Sequence, residues 1–172
     1  MFDAFLKLDG IPGESTDSKH KDEIEILSFS WGVSNSGTIG GGGGGGAGKA
    51  NFNDFSFTHH MDKSSPKLWL SCATGQHIKE AVLTLRKAGG DKGFEFYRVT
   101  LTDILVSSFS QGGSAEGADT RPSDSFSLNF AKIRTDYSFQ SEKGTVGGTT
   151  TAEFDLRKNE AGFAGDAPAE GG

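Results

Sequence analysis

Three residues in a glycine-rich segment have the spacing of a phosphate-binding loop. Gly43, Gly48 and Lys49 match the two glycines and the lysine of that motif, within and just after a run of seven consecutive glycines. The motif next requires Ser or Thr, whose hydroxyl holds Mg²⁺, and then a helix whose N-terminus faces the phosphates. Residue 50 is Ala, and the alternation of apolar residues after it indicates a strand. The sequence therefore predicts no nucleotide site and no cofactor here.

Carboxylates and histidines are the second set of candidates for chemistry. A carboxylate pair for glycoside hydrolysis would come from Asp54, Asp62, Asp103 and Asp155. Such residues also end strands and cap turns, which is the interpretation we favour. His59 and His60 are adjacent and project to opposite faces of a strand, so they do not ligate one metal together. No Gly-x-Ser-x-Gly nucleophile elbow occurs. We expect no catalytic residue and no metal.

Length and charge limit the class of protein. A chain of 172 residues is long enough for one domain whose core needs no disulfide or metal. With 17 Lys and Arg against 23 Asp and Glu, the net charge is −6, and no basic stripe is present, so nucleic acid is not an expected partner. Cys72 is the only cysteine and is expected to pack as a small apolar side chain.

Targeting signals bear on the location of the chain. The N-terminus lacks a basic stretch followed by an apolar run and a cleavage site, and no apolar segment approaches the ~20 residues of a membrane span. The sequence predicts a protein that begins in the cytoplasm, does not insert into a membrane, and is exported without a cleaved signal peptide.

Short strands with turn signals between them account for most of the chain. Apolar residues alternate in the segments 2–8, 24–33, 78–87, 94–109, 126–130, 137–139 and 154–156. Fourteen Phe against two Trp and two Tyr favour a dry β core. A slip in the alternation after Ile26 indicates a bulge or bend. Residues 161–172 are rich in Gly and Ala and are expected to form a flexible tail after a domain that spans residues 1–160.

One segment is typical of a short helix. Ser65 is the expected N-cap and Pro66 suits the first turn. Leu68, Trp69 and Cys72 form one stripe, which is expected to pack against the sheets. Leu70 points away from this stripe, and the sequence leaves open whether it is simply exposed or contacts a second chain.

Four longer segments, in the same order along the chain, closely resemble the Hcp (haemolysin-coregulated protein) family, the tube subunit of the bacterial type VI secretion system. They are FSFTHHMDKSSPKLWLSCATG (55–75), LTLRKAGG (83–90), VTLTDILVSSFSQGG (99–113) and SFSLNFAKI (125–133). The resemblance covers about residues 2–160. It departs at Phe154-Asp155-Leu156, where the family usually has a Trp-containing segment, and residues 161–172 have no counterpart.

The resemblance implies a fold, an assembly and partners. The fold is mainly β, with two packed antiparallel sheets that form a β-barrel and one short α-helix alongside. Copies close into a hexameric ring with a wide channel, and rings stack into a tube that a contractile sheath expels with its spike. Members are also shed into the medium, and they bind small effectors inside the ring as receptor and chaperone.

Two sets of residues are candidates for this work. Ser28, Ser30 and Ser34, with Gly32 between them, form a small polar face that is expected to line the channel and contact cargo; the alternative is a solvated outer face. The loop 37–49, which contains Gly40, Gly43, Gly46, Gly48 and Lys49, is expected to contact the next ring, because a pliable segment becomes ordered where another subunit confines it.

Two other classes of function remain open from the sequence. One is a monomeric β-sandwich that binds a sugar or peptide, and the other is a small hydrolase that uses an Asp pair.

Overall fold

The computed structural model describes residues 1–37, 48–87, 93–118 and 121–168, which form eleven strands and one helix. The strands are β1 (Phe2–Leu8), β2 (Ile24–Glu25), β3 (Ser28–Ser30), β4 (Val33–Asn35), β5 (Ala50–Phe52), β6 (Phe55–His60), β7 (Ile78–Lys87), β8 (Glu95–Gly112), β9 (Ser123–Gln140), β10 (Val146–Asp155) and β11 (Glu160–Pro168), and the helix is α1 (Ser65–Thr74). The prediction of a mainly β chain with one short helix is confirmed for these residues.

Nine of the described strands form one antiparallel sheet. Its main path runs β11-β10-β9-β8-β7-β1-β2, while β6 pairs with β9 and β3 pairs with β6. The strands β4 and β5 pair only with each other, as a separate two-stranded ribbon.

The strands β8 and β9 are each 18 residues long and belong to two parts of the sheet. Residues 123–128 of β9 pair with β6, and residues 132–140 pair with β10. The sequence predicts separate strands at 126–130 and 137–139, and the structure corrects this to one strand. In β8, Asp103 has a φ of 54°. Its neighbours Thr102 and Ile104 pair with residues of β7 and β9, whereas Asp103 has no paired residue in either strand. Because non-Gly residues rarely adopt this conformation, it marks a local bend in the strand.

The chain changes partners at the predicted slip after Ile26. The Ile26 N–H donates to the Ala4 carbonyl of β1 at 2.9 Å, and the next N–H, of Leu27, donates to the Thr58 carbonyl of β6 at 2.8 Å. The resemblance implies two packed sheets closed into a barrel. The described residues instead form one nine-stranded bent sheet and the separate ribbon, and no closed barrel, because the ladder of the large sheet is interrupted where β2 ends and β3 begins.

The bend of the sheet encloses a core dominated by phenylalanine and aliphatic side chains. The largest fully buried side chains include Phe55, Phe57, Phe126, Leu6, Leu68 and Leu128. Phe55 and Phe57 stack with ring centroids 4.9 Å apart, and Phe57 and Phe126 follow at 5.2 Å. Stacked rings of this kind bury large apolar areas without a polar tip that needs a partner.

The helix begins and packs differently from the sequence prediction. Its N-cap is Ser64, and the Ser65 hydroxyl donates to the buried Asp124 carboxylate instead of capping the helix. Leu68 is fully buried and Cys72 is half-buried against the core, as predicted. Trp69 was expected to pack in the same stripe, but it is 50% exposed. It follows Leu68 by one position, which rotates it by about 100° around the helix.

The segment predicted as a flexible tail continues the sheet instead. Strand β11 extends to Pro168 and pairs with β10, and the Thr150 hydroxyl donates to Asp166 at 2.8 Å. The composition of this segment led to a wrong prediction. An edge strand is held by backbone hydrogen bonds to the neighbouring strand, and these form even where the side chains are small. Residues 169–172 lie outside the described part of the chain.

The connection between β1 and β2 is held to the sheet by charged groups. The Arg86 guanidinium of β7 donates to Asp17 at 2.7 Å and lies 5.0 Å from the centroid of the Phe5 ring. His20, in the same connection, stacks on Phe5 with the ring centroids 4.5 Å apart, and its Nε2 lies 2.8 Å from Glu95. The hydrogen bond from Arg86 lowers the pKa of Asp17 from 3.8 to about 2.

This pKa shift predicts how stability changes with acid. A carboxyl whose folded pKa is lowered adds stability that is complete above its unfolded pKa of 3.8 and is lost as the pH falls towards 2. Replacing Arg86 by Gln should return the pKa of Asp17 towards 3.8, lower the stability at pH 7, and make its loss between pH 4 and pH 2 shallower. NMR titration of Asp17 and urea unfolding at several pH values measure both effects. An unchanged pKa in Arg86→Gln would contradict the assignment.

Candidate functional site

A short pattern recurs four times in the chain, and each copy lies on a different strand of the sheet. A hydroxyl residue precedes and follows a phenylalanine in 28–30 (SFS), 56–58 (SFT), 108–110 (SFS) and 125–127 (SFS). These segments belong to β3, β6, β8 and β9. Because side chains alternate along a strand, each segment places its two hydroxyls on one face and its ring on the other.

The strand registers bring the four segments side by side in the order β3-β6-β9-β8. The central row on one face is Phe29, Phe57, Phe126 and Phe109. The two flanking rows on the opposite face are Ser30, Ser56, Ser127 and Ser108, and then Ser28, Thr58, Ser125 and Ser110. We call these eight hydroxyl residues the hydroxyl-lined face.

Hydrogen bonds between strands connect members of this face. The Ser127 hydroxyl lies 2.5 Å from that of Ser108 and 2.7 Å from that of Ser107. The hydroxyls of Ser28 and Thr58 lie 2.5 Å apart. Since a hydroxyl has one donor hydrogen and two acceptor positions, each such pair still offers positions to water or to a ligand.

The hydroxyl-lined face forms the floor of a shallow cleft of about 520 Å³. Among the described residues that line it, Asp54 is the only one that carries a charge, and Asn129 donates to its carboxylate at 3.0 Å. The cleft is therefore polar but close to neutral. It can contact varied molecules by hydrogen bonds, and it provides neither a nucleophile paired with a base nor a cluster of charges.

The structure places the predicted channel residues in two different locations. Ser28 and Ser30 belong to the hydroxyl-lined face. Ser34 lies on β4 and pairs with Asn51 of the separate ribbon, so it is not part of this face. Sequence analysis missed Ser56, Thr58, Ser108, Ser110, Ser125 and Ser127. The fourfold repeat of the hydroxyl-Phe-hydroxyl pattern was the signal that could have found them.

Only the ends of the predicted stacking loop fall within the described residues. Gly40, Gly43 and Gly46 lie outside them. At the base of the loop, Asn35 donates to the Gly48 carbonyl at 2.7 Å and accepts from the Gly37 N–H at 2.8 Å. A Cβ on Gly48 would lie 2.7 Å from the Gly37 nitrogen, so this close approach requires glycine. Lys49 is exposed and is followed by β5, not by the helix that a phosphate-binding loop needs.

A polar row, in which His59 and Asp124 are buried and Gln111 is exposed, lies next to the phenylalanine row on the same face of the sheet. His59, Asp124 and Gln111 are in register across β6, β9 and β8. Asp124 is fully buried; it accepts from the Ser65 hydroxyl and from Gln111 at 2.7 Å, and the His59 Nε2 lies 3.0 Å from it. This row ties the first turn of α1 to three strands. His60, the next residue, projects to the opposite face, as alternation predicts.

The four carboxylates considered for hydrolysis are engaged in local interactions. Asp54 accepts from Asn129, and Asp62 accepts from the Ser64 N–H at 2.8 Å. Asp155 accepts from two N–H groups of the turn after β10, and Asp103 accepts from Arg157 at 2.6 Å. The hydrogen bond from Arg157 lowers the pKa of the Asp103 carboxyl. These contacts match the interpretation that the carboxylates fix turns and side chains.

Within 1–37, 48–87, 93–118 and 121–168, no three His, Cys, Asp or Glu side chains are grouped as ligands of one metal ion. In that part of the chain no helix has the length and apolar character to cross a bilayer.

Comparison with known sequences assigns the family. Residues 5–137 match the family described as "Type VI secretion system effector, Hcp". The chain is 45% identical over 158 residues to Protein hcp1 of Pseudomonas aeruginosa. The matched residues make up 91% of this chain and 96% of that protein. The chain belongs to the Hcp family.

Solved structures agree with the Hcp assignment. A structure described as a type six secretion system protein superposes with a TM-score of 0.86 at 34% identity, covering 94% of this chain and all of the other. Hcp1 of Salmonella typhimurium superposes with a TM-score of 0.77 at 37% identity, covering 93% and 98%. The recognition from sequence is thereby confirmed, and the chain is a type VI secretion tube or effector protein. The description of the family names a secretion system.

The polar row gives a prediction about stability. Replacing Asp124 by Ala should lower the free energy of unfolding by about 3 kcal/mol, because the Ser65 hydroxyl and the Gln111 amide lose the buried side chain that accepts their hydrogen bonds. The matched control is Ser123→Ala, one residue earlier on the exposed face, which should change stability by less than about 0.5 kcal/mol. Urea unfolding followed by tryptophan fluorescence measures both. Equal stability of the two variants would show that the row does not hold the helix.

Proposed function

We propose that this Hcp protein is a subunit of the inner tube of a type VI secretion system, in which six copies close into a ring and rings stack. In this proposal a contractile sheath expels the tube with its spike, and small effectors travel inside the ring. The protein acts as receptor and chaperone for that cargo and has no enzymatic activity. It leaves the cell with the expelled tube.

The observation that supports this proposal best is the neutral, hydroxyl-lined face. A channel that passes varied proteins should present small polar groups, because exposed apolar side chains would retain cargo and clustered charges would select it. Eight hydroxyl residues in two rows meet this requirement. We assign the face to the ring lumen, with Ser28 and Ser30 among its cargo contacts. A contact of Ser34 with cargo stays a separate prediction, since that residue lies on the ribbon.

The glycine-rich loop 37–49 is proposed to contact the neighbouring ring. The described residues support this at the base of the loop. Asn35 donates a hydrogen bond to the Gly48 carbonyl, and Gly48 lies close to the Gly37 backbone, so the two ends of the loop are held together where they join the ribbon. The partners in this proposal are other copies of the chain, the spike and sheath proteins, and small secreted effectors.

The first test of the proposal is the mass of the protein in solution. Native mass spectrometry or light scattering should show a species of six chains, and electron microscopy should show annular particles with a central hole. The same measurements distinguish the alternative of a monomeric ligand-binding β-sandwich. A protein that remains monomeric at every concentration up to about 100 µM, well above the micromolar range of moderate affinity, would contradict the ring.

The second test concerns cargo. Replacing Ser30 by Gln introduces a bulky side chain into the hydroxyl-lined face, so retention of a small effector of the same secretion system should fall while the ring stays intact. Co-purification with a tagged effector measures retention, and light scattering checks the ring. Ser18→Gln, at an exposed serine of the β1–β2 connection, is the matched control. Normal retention by Ser30→Gln would remove this face from the cargo site.

A further inference from the structure

One carboxylate lies beside the hydroxyl-lined face. Phe55 of β6 pairs with Leu128 of β9, so the residues next to them, Asp54 and Asn129, are opposite each other on the face that carries the hydroxyls. Asp54 is half-buried and lines the cleft of about 520 Å³, where it is the only charged residue among those described. It therefore gives a nearly neutral cleft one negative charge.

The hydrogen bonds of Asp54 leave part of its carboxylate open. The Asn129 amide donates to the Oδ1 atom at 3.0 Å, which orients the group. Within the described residues, the Oδ2 atom accepts no hydrogen bond, and no Lys, Arg or His side chain forms an ion pair with Asp54. In contrast, Asp17, Asp103 and Asp136 each pair with an arginine. The carboxylate of Asp54 thus retains the capacity to bind a cation.

A neighbouring hydroxyl adds an acceptor at this position. Ser56 follows Asp54 by two residues and therefore lies on the same face of the sheet. Its side chain is exposed, and its hydroxyl has no hydrogen-bond partner in the part of the chain that the structure describes. An ammonium or guanidinium group has several N–H donors and no acceptor, so it needs more than one oxygen atom around it. A carboxylate oxygen and a hydroxyl oxygen on one face fit such a cation, whereas the carboxylate would repel an anion.

We propose that Asp54, with the Ser56 hydroxyl beside it, binds a lysine or arginine side chain of the cargo and so selects cargo by charge. The inference rests on the proposed function, because it takes the hydroxyl-lined face as the cargo site. The hydroxyls of that face contact any polar surface by hydrogen bonds. The charge-assisted hydrogen bond of Asp54 adds a preference for surfaces that carry a cationic side chain.

The position of Asp54 distinguishes it from carboxylates on the open surface. An exposed carboxylate stays hydrated and gains little from an ion pair. Asp54 is partly withdrawn from water in a cleft, and a molecule bound there would displace more water and strengthen the interaction between the charges. Asp9 is exposed, lies outside the lining of this cleft and forms no ion pair among the described residues, so it provides a control of the same residue type.

The experiment measures binding of two peptides to the full chain by fluorescence anisotropy. The probes are a peptide of Gly-Ser-Arg repeats and its neutral counterpart of Gly-Ser-Gln repeats, each labelled with an uncharged dye. The arginine peptide should bind the unmodified protein more tightly. Asp54→Asn keeps the shape of the side chain and should weaken binding of the arginine peptide by about fivefold, as expected for one partly exposed ion pair. Binding of the glutamine peptide should not change, and Asp9→Asn should affect neither peptide.

Salt and charge reversal provide two further measurements. The difference between the unmodified protein and Asp54→Asn should shrink as salt is raised, because salt screens an exposed ion pair, whereas binding of the glutamine peptide should stay the same. Asp54→Lys should reverse the preference, so that a peptide of Gly-Ser-Glu repeats binds more tightly than the arginine peptide. Circular dichroism checks that each variant is folded, and light scattering checks the ring.

The outcomes separate this inference from the proposed function. If rings form but do not distinguish the arginine peptide from the glutamine peptide, the inference is wrong while the ring stands. If Asp9→Asn weakens binding of the arginine peptide as much as Asp54→Asn does, the effect comes from the net charge and the inference also fails. If Asp54→Asn is folded but no longer forms rings, the carboxylate serves assembly and not cargo. A monomeric unmodified protein would instead overturn the proposed function.

Discussion

The register of four neighbouring strands is the constraint on which the rest of the structure depends. Side chains alternate with a period of two, so a slip of one residue would exchange the phenylalanine row with the hydroxyl rows. The rings of Phe57 and Phe126 are buried, and moving them to the hydroxyl-lined face would expose a large apolar area. The cost of that exposure fixes the positions of the hydroxyls as well. The register that packs the core therefore also determines which residues form the hydroxyl-lined face.

The polar row of His59, Asp124 and Gln111 explains the position of the helix. An isolated helix of ten residues is marginal in water, and only Leu68 among its residues is a fully buried large apolar side chain. Burying a carboxylate is costly unless donors surround it, and Ser65 at the start of the helix is one of the donors that Asp124 has. The need of Asp124 for partners thus helps to hold the helix in place, with Trp69 and Leu70 on its exposed side.

Much of the local structure could be predicted from the sequence, because alternation and turn residues report on neighbours along the chain. The strands β1, β7 and β8, the slip after Ile26 and the helix were all indicated in this way. The hairpin of β7 and β8 was also indicated, because a short turn joins the two strands. The pairing of β6 with β9 was not, since it joins residues that are far apart in sequence. For the same reason the pattern around Ser28 and Ser30 suggested a polar face but did not reveal the six other hydroxyl residues beside them. The strand at Glu160–Pro168 was missed because its small residues carry no periodic signal.

Apart from Asp54, the charged side chains of the described residues lie away from the hydroxyl-lined face. Arg134 contacts Asp136 at 3.2 Å and Arg157 contacts Asp103 at 2.6 Å, so cations and carboxylates neutralise each other on other parts of the sheet. Contacts at the hydroxyl-lined face are then short-range hydrogen bonds, which salt affects little, whereas salt screens exposed ion pairs such as that of Arg157 with Asp103. In the proposed ring, cargo binding by the hydroxyls of this face should therefore depend little on ionic strength, because no cluster of charges holds a molecule there.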